Sequence, residues 1–409
     1  MPKQTFQDDF PILKKTVDGH RLVYLDNTNT SLTPNQVIEK MNQYYTDYNA
    51  NIHRAVYSLS ETATTEYEAA REKVRNFINA ASTKEIVFTR NATEAINLIV
   101  QTWGRKNLKA GDTVILSIME HHSNIVPWQL LQKEKGFNIR YLSLTEDGRL
   151  NLDAYERILK TEPVKMVSVV HQSNVLGTIN PVKKMTQLAH QYGAKMMIDG
   201  AQSVPHMKVD VQDLDSDFFV FTGHKMCGPT GIGVLQTKAG ILEAMPPFLG
   251  GGDMIRSVQI AGSEWNDLPY KFEAGTPNIA GVIGLGAAVD YLESIGMKKI
   301  QDQEMELLEY ALEHMKKIKD LKIYGPLDGK DRGAIISFSL AGIHPHDLAT
   351  VLGERGVCVR AGNHCAQPLM EFLRVSATTR ISLAFYNTKE DIDAFIEGVQ
   401  HAQSMFHSL

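Results

Sequence analysis

The sequence predicts an α/β protein, with a mostly parallel, doubly wound sheet in a large domain and a smaller α+β domain after it. Three observations predict this class. From about residue 85 onward, short strand-like runs alternate with segments of helical periodicity. The run Phe218-Phe-Val-Phe221 has the length and aromatic content of a buried strand. After Leu235 the character changes, and the remainder mixes strand-like runs with amphipathic helices. The 409 residues suffice for two domains in one compact subunit. We place 20–295 in the large domain, and 1–19 with 296–409 in the smaller one.

In chain order, 22–26 reads as a short strand, and a helix then runs from Pro34, where proline suits the first turn, to about Tyr48. Residues 60–78 read as a long helix and 85–89 as a strand. Asn91-Ala-Thr-Glu94 has the form of a capping box and opens a helix over 92–103. Strands follow at 112–117, 137–142, 165–170 and 195–199, with helices at 152–159 and 181–192. Strands 218–221 and 232–235 flank a turn rich in Gly and Pro. Residues 245–253 read as a flexible connection, 272–277 as a turn, and 279–295 as a long apolar helix. The remainder reads as helix 304–318, strand 334–340, helix 346–355, strand 357–360 and helix 389–406.

The totals exclude several classes. Hydrophobic residues at 43% and charged residues at 22% are an ordinary globular mixture, which argues against extended disorder. A net charge of −5 argues against nucleic acid as a partner. No run approaches a transmembrane helix, and the N-terminus lacks the apolar core of a signal peptide, so no membrane and a cytoplasmic location are expected. Cys227, Cys358 and Cys365 form no disulfide framework, no CxxC pair suggests a metal site, and no intrinsic metal is expected.

Two side chains then stand out. Asp199 ends one apolar strand, at the place where open α/β sheets put ligand contacts. Lys225 follows another, in Thr222-Gly-His-Lys225. A lysine there is either a solvated loop residue or a desolvated amine, made nucleophilic because burial lowers its pKa. The Asp199–Lys225 pairing is what pyridoxal phosphate needs: a lysine for its aldehyde and an aspartate for its pyridine nitrogen. The helix after Asn91 offers either a plain capped end or an anion site with Thr93 beside it. His121 and His122 are adjacent, which disfavours shared metal binding and favours one imidazole stacking on a flat cofactor. Cys365 lies just past a strand, with Arg360 and His364 as neighbours that favour thiolate.

Taken together, the chain resembles the SUF-type (group II) cysteine desulfurases, within the class-V aminotransferase-like enzymes of pyridoxal-phosphate fold type I. The stretches that carry the resemblance are Glu120-His-His-Ser-Asn-Ile-Val-Pro-Trp-Gln129, Ser173-Asn-Val-Leu-Gly-Thr-Ile-Asn-Pro181, Asp199-Gly-Ala-Gln202, Thr222-Gly-His-Lys225, Phe272-Glu-Ala-Gly-Thr-Pro277 and Arg360-Ala-Gly-Asn-His-Cys365. The resemblance implies that Lys225 forms the covalent link to the cofactor, Asp199 pairs with its ring nitrogen, Gln202 reaches its ring hydroxyl and His121 stacks on it. It implies that Thr93, Thr222 and His224 hold the phosphate, joined by Thr276 from the other subunit of a homodimer. It places Asn174 and Arg380 on the substrate carboxylate, Arg360, His53 and Arg54 at the substrate entrance, and Cys365 as the sulfur-accepting nucleophile. The implied reaction converts L-cysteine to L-alanine with a persulfide on Cys365, supplying sulfur for iron–sulfur cluster assembly. A zinc-containing SufU-type acceptor is the implied partner, with His346 as a transient zinc ligand toward it.

Two departures lie near the expected site. Thr28 and Asn29 stand where the family usually has two alanines, and Asn363 stands where it usually has a histidine. Rival readings are a selenocysteine lyase or a class-V aminotransferase, and a non-catalytic sulfur-transfer scaffold on the same fold.

Overall fold

The structure, a computed structural model, describes residues 6–407. The outermost residues of the segments assigned above to the smaller domain, 1–5 and 408–409, lie outside the described residues. Among the described residues, seven strands build the central sheet. In spatial order they are Ile86–Thr89, Gly233–Thr237, Phe218–Thr222, Lys195–Asp199, Val164–Val170, Thr113–Ser117 and Asn138–Leu142. The last five are parallel. Gly233–Thr237 runs antiparallel to both its neighbours, the one exception to the parallel sheet expected.

This topology positions the site. Thr89, Ser117, Val170, Asp199 and Thr222 are all C-terminal strand residues, and the register brings them to one edge of the sheet. That edge is where open α/β sheets bind ligands. Gly233 sits at the same level, opposite both Thr89 and Thr222. A Cβ on Gly233 would lie 2.5 Å from the Asn91 carbonyl carbon, so only glycine lets the start of the next helix cross the sheet edge here.

Both faces of the sheet are covered. One carries a core of Tyr67, Val74, Ile198, Phe219, Val282 and Val289, under helices Ser58–Phe77 and Ile279–Ile295. Helix Ile279–Ile295 is apolar along most of its length because it is largely enclosed, with Asp290 and Glu293 exposed near its C-terminal end. Gly286 lets it approach the neighbouring helix: a Cβ there would lie 2.7 Å from Ala70 Cβ. The other face buries Leu98, Trp103, Trp128 and Phe218. No single helix among the described residues is long and apolar enough to cross a membrane.

A separate core lies between a four-stranded sheet and three helices, Met297–Met315, Pro345–Glu354 and Lys389–His407. Val23 and Leu25 pack in this second core, while Phe6 and Phe10 pack in the first. The N-terminal segment thus crosses between the two layers.

Several local readings differ from the structure. The helix expected over 92–103 is α-helical only to Ile99, and Val100–Gly104 forms a wider π turn. There the Thr102 hydroxyl donates to the Leu98 carbonyl at 2.5 Å, side-chain competition that commonly bends helices. Helix Val126–Lys135 went unread, although Pro127 sits in its first turn. A hairpin just after the connection read over 245–253, Ile255–Gln259 with Gly262–Trp265, also went unread. The strand expected at 357–360 is two short ones: Val357–Cys358 pairs with Val23–Tyr24, and Arg360–Gly362 with Thr378–Ser382.

Candidate active site

A cavity of about 190 Å³ opens at the C-terminal sheet edge. It brings together Thr93, His121, Asn174, Asp199, Gln202, Thr222, His224, Lys225, Arg360, Cys365 and Arg380 from segments far apart in sequence. Thr28, Asn29 and Ser123 also line it. Asp199 is 4% exposed. Burial holds its carboxyl above the usual carboxylate range, against the Ala201 N–H and the charge of Lys225. Lys225 faces the cavity, but its amine is enclosed. Burial lowers its pKa to about 8; Asp199 opposes this, while Arg380 and Arg360 add to it. Lys225 is therefore the desolvated amine of the two possibilities, with roughly a tenth of it neutral at pH 7.

The helix starting at Ala92 presents its N-terminus to the cavity, with Asn91 Oδ1 accepting from Glu94 N–H at 2.9 Å. Thr93 Oγ1 lies 2.7 Å from Ser123 Oγ. Ser123 in turn lies 3.0 Å from His121 Nδ1, and its N–H donates to that nitrogen at 3.1 Å. His121 is thus fixed with Nδ1 as acceptor. Burial, then the nearby cations, push its pKa down to about 3, so the ring is neutral. Burial and Lys225 likewise lower His224 to about 4. Ser123 is a contact that sequence reasoning missed, although it stands inside the Glu120–Gln129 motif.

The Cys365 loop is tied to the same wall. His122 N–H donates to the Cys365 carbonyl at 2.8 Å, and Gln367 N–H donates to His122 Nε2 at 3.2 Å. His364 and Cys365 both have positive φ, 52° and 57°. The turn is held by Asn363 Oδ1, which accepts from Cys365 N–H at 3.0 Å. Cys365 is part-exposed, consistent with a turn. The expectation that His364 supplies positive charge is corrected. It is 2% exposed, bonded to Thr378 Oγ1 at 2.9 Å, and kept neutral by burial and two nearby arginines. Arg360 is the cationic neighbour that remains.

Arg380 donates to the Asn174 carbonyl at 2.9 Å and to Asp26 Oδ1 at 3.1 Å. Asp26, quoted in the sequence only as part of a strand end, is the counter-charge for this buried guanidinium. Three predicted residues are not brought to this cavity within one chain. His53 pairs with Glu68 at 3.0 Å and Arg54 with Asp253 at 3.0 Å, in a second cavity. Thr276 lies exposed on the turn beside it and accepts from Asn51 Nδ2 at 3.4 Å. His344 and His346 are exposed and stacked, with ring centroids 5.4 Å apart. The helix cap there is His344, whose Nδ1 accepts from His346 N–H at 3.3 Å.

The cavity fits pyridoxal phosphate on its own chemistry. Gln202 Oε1, Asn174 Oδ1 and Arg380 Nε are buried without a hydrogen-bond partner, and all three residues face the cavity. Such orphaned groups cost roughly 1–3 kcal/mol each until a ligand satisfies them. A helix N-terminus with adjacent hydroxyls suits a phosphate, and a buried carboxyl held above its usual range gains from a cationic ring N–H.

Comparison with known proteins agrees. Residues 23–395 match the family described as aminotransferase class-V. The chain is 52% identical over 397 residues to a probable cysteine desulfurase of Halalkalibacterium halodurans, covering 97% of each chain. It is 47% identical over 411 residues to a cysteine desulfurase of Haloferax volcanii, covering 97% of this chain and 96% of that one. Among solved structures, a cysteine desulfurase from Escherichia coli matches with TM-score 0.91 and 39% identity over 98% of both chains. The apo enzyme from Thermococcus onnurineus matches with TM-score 0.93 and 38% identity over 99% of both. The architecture is pyridoxal-phosphate fold type I, as these neighbours have. With a family match over most of its length and relatives about half identical to it from end to end, the chain belongs to the class-V aminotransferases and, within them, to the cysteine desulfurases, a pyridoxal-phosphate-dependent family.

Proposed function

We propose that this chain removes sulfur from L-cysteine, giving L-alanine and a persulfide on Cys365. The observation that carries the reading is the single cavity in which Lys225, Asp199, Arg380 and Cys365 meet. When bound, pyridoxal phosphate supplies an aldehyde that captures the substrate amine and a ring that withdraws electrons from the α-carbon. Lys225 anchors it, Asp199 and Gln202 hold its ring, neutral His121 stacks on it, and Thr93, Thr222 and His224 hold its phosphate. Arg380 and Asn174 bind the substrate carboxylate. The freed Lys225 amine, with a pKa of about 8, moves protons at the substrate α-carbon. Cys365 Sγ, as thiolate, attacks the substrate sulfur. An S–S bond forms, the substrate Cβ–S bond breaks, and Cβ keeps the electron pair and takes up a proton. Alanine leaves, and the sulfur stays on Cys365 in a form that can be passed on.

We further propose a SUF-type enzyme acting in the cytoplasm as a homodimer. In the second subunit, Thr276, His53 and Arg54 would reach the first subunit's site. Support comes from the position of His53 and Arg54 around a cavity separate from Lys225, from the exposure of Thr276 on the adjoining turn, and from exposed apolar side chains including Val56 at 94%. For hand-off, the exposed imidazole of His346 is suited to capture a zinc ion on a SufU-type acceptor and free that acceptor's thiolate.

Two experiments test these readings. Purified protein incubated with L-cysteine and a reductant releases equal amounts of alanine and sulfide, and Cys365→Ser loses that release. Full release of alanine and sulfide by Cys365→Ser would overturn the persulfide on Cys365. His346→Ala keeps basal alanine formation within about twofold but loses stimulation by a SufU-type acceptor. Stimulation equal to the parent's would sink the zinc-capture role.

A further inference from the structure

Asn29 joins the two arginines of the cavity. Its side-chain carbonyl accepts from Arg360 Nη1, and its Nδ2 donates to Asp26 Oδ2 at 3.1 Å. Asp26 Oδ1 accepts from Arg380 Nη2 at 3.1 Å. The sheet register sets Arg360 directly opposite Arg380, so two guanidiniums are forced into one neighbourhood. Like charges that close repel, and neither side chain is free to leave without losing a partner. An amide is uncharged and carries its donor and its acceptor on two separate atoms at its end. It turns its NH₂ to the Asp26 carboxylate and its oxygen to Arg360. A carboxylate at position 29 would repel Asp26, and a methyl would leave Arg360 without this contact.

The backbone around Asn29 is fixed. Thr28 N–H donates to Ser382 Oγ at 2.9 Å, and the Thr28 carbonyl accepts from Gln202 Nε2 at 2.8 Å. Thr28 Oγ1 lines the cavity, and at 2% residue exposure it has no hydrogen-bond partner. This wall therefore presents an unsatisfied hydroxyl next to a paired set of cations, a surface that awaits a polar, anionic occupant.

We propose that Asn29 is a specificity-determining positioning residue that acts through Arg360. It sets Arg360 beside Arg380, so that the arginine pair is organised before the carboxylate of a small α-amino acid arrives. The proposal rests on the reading of this cavity as an amino-acid site. Preorganisation of this kind strengthens binding because the ordering of a long side chain has already been done. Its signature is in affinity for the carboxylate more than in the chemical step.

The test uses the holoprotein. L-alanine carries the carboxylate but no thiol, and its binding is read from the shift of the cofactor's absorption band. Asn29→Ala is expected to weaken L-alanine binding about tenfold, the scale of one charge-assisted hydrogen bond, with KM for L-cysteine rising alike and kcat falling less. Arg360→Ala weakens L-alanine binding at least as much. Adding Asn29→Ala to Arg360→Ala produces no further loss, because the first acts through the second. Asn29 is exposed, so its replacement leaves the core untouched. Unchanged L-alanine affinity in Asn29→Ala, or losses that add in full in the double variant, overturns the proposal. Should the parent bind L-alanine but make none from L-cysteine, the desulfurase reading fails and the L-alanine titration still decides the role of Asn29.

Discussion

Glu120 lies beneath His121 with no exposure to solvent. Its two oxygens meet only Ser117 Oγ and Asn124 Nδ2 among side chains, the latter donating at 2.7 Å. Burial pushes its pKa up to about 8, against those hydrogen bonds. The group is therefore mostly neutral at pH 7, with Ser117 Oγ and Asn124 Nδ2 bonded to its two oxygens. Below the unfolded value near 4.5, the carboxyl is protonated in both states and costs nothing. Between 4.5 and 8 the unfolded chain releases the proton while the folded one keeps it, so stability falls as pH rises, by up to about 4 kcal/mol in total. Glutamine reproduces both hydrogen bonds without a titratable proton. Urea denaturation should find Glu120→Gln close to the parent at pH 5 and progressively more stable than it toward pH 8. A stability difference that stays constant with pH would show that Glu120 is ionised in the fold.

At the level of elements, the turn Phe272–Pro277 is held by a buried ion pair. Arg71, with no side-chain exposure, donates to Glu273 at 2.7 and 2.9 Å and to Glu68 Oε2 at 3.0 Å. Glu273 also accepts from the Phe88 backbone N–H at 2.7 Å, and Glu68 pairs with His53. One guanidinium thus ties the Thr276 turn and the His53 loop to the sheet. Arg71→Ala leaves Glu273 buried and unpaired, which costs about 3–5 kcal/mol. The denaturation midpoint should fall accordingly, and a loss under 1 kcal/mol would mean that water replaces the pair. None of this was legible in the sequence, because Arg71 sits in a helical pattern with nothing to mark it as buried. Lys225 and Asp199 were legible because each terminates a continuous apolar run, and strand ends place side chains at a sheet edge whatever the loop lengths. Helix Ile279–Ile295 was legible to the residue, its pattern being bounded by Pro277 and Gly296. The hairpin at Ile255–Trp265 was not, since it is solvated on both faces and so lacks the alternation that a half-buried strand shows. The separation of His53, Arg54 and Thr276 from Lys225 depends on tertiary placement, which motif spacing does not encode.

That separation becomes a prediction about the whole molecule. If Thr276 serves the cofactor of a second copy, each site takes Lys225 from one chain and Thr276 from the other. The exposed apolar side chains Leu249, Val258 and Ile260 on the connection and hairpin, with Val56 and Tyr57 beside Arg54, would then be covered by that copy. Sedimentation should find a dimer at assay concentration, and an active monomer would rule the arrangement out. Mixed dimers ask the sharper question. Lys225→Ala cannot anchor the cofactor, and Thr276→Ala should retain it weakly. When the two variants are unfolded, mixed and refolded, half of the dimers formed are hybrids. A hybrid has one site that carries both lesions and one that carries neither. Sharing across the interface therefore restores parent-like cofactor retention and alanine formation to about a quarter of all sites, half of those in hybrids. If Thr276 acts within its own chain, every site keeps one lesion and mixing restores nothing. The two outcomes differ in kind, and cofactor absorbance retained after dialysis reads the difference without reference to turnover.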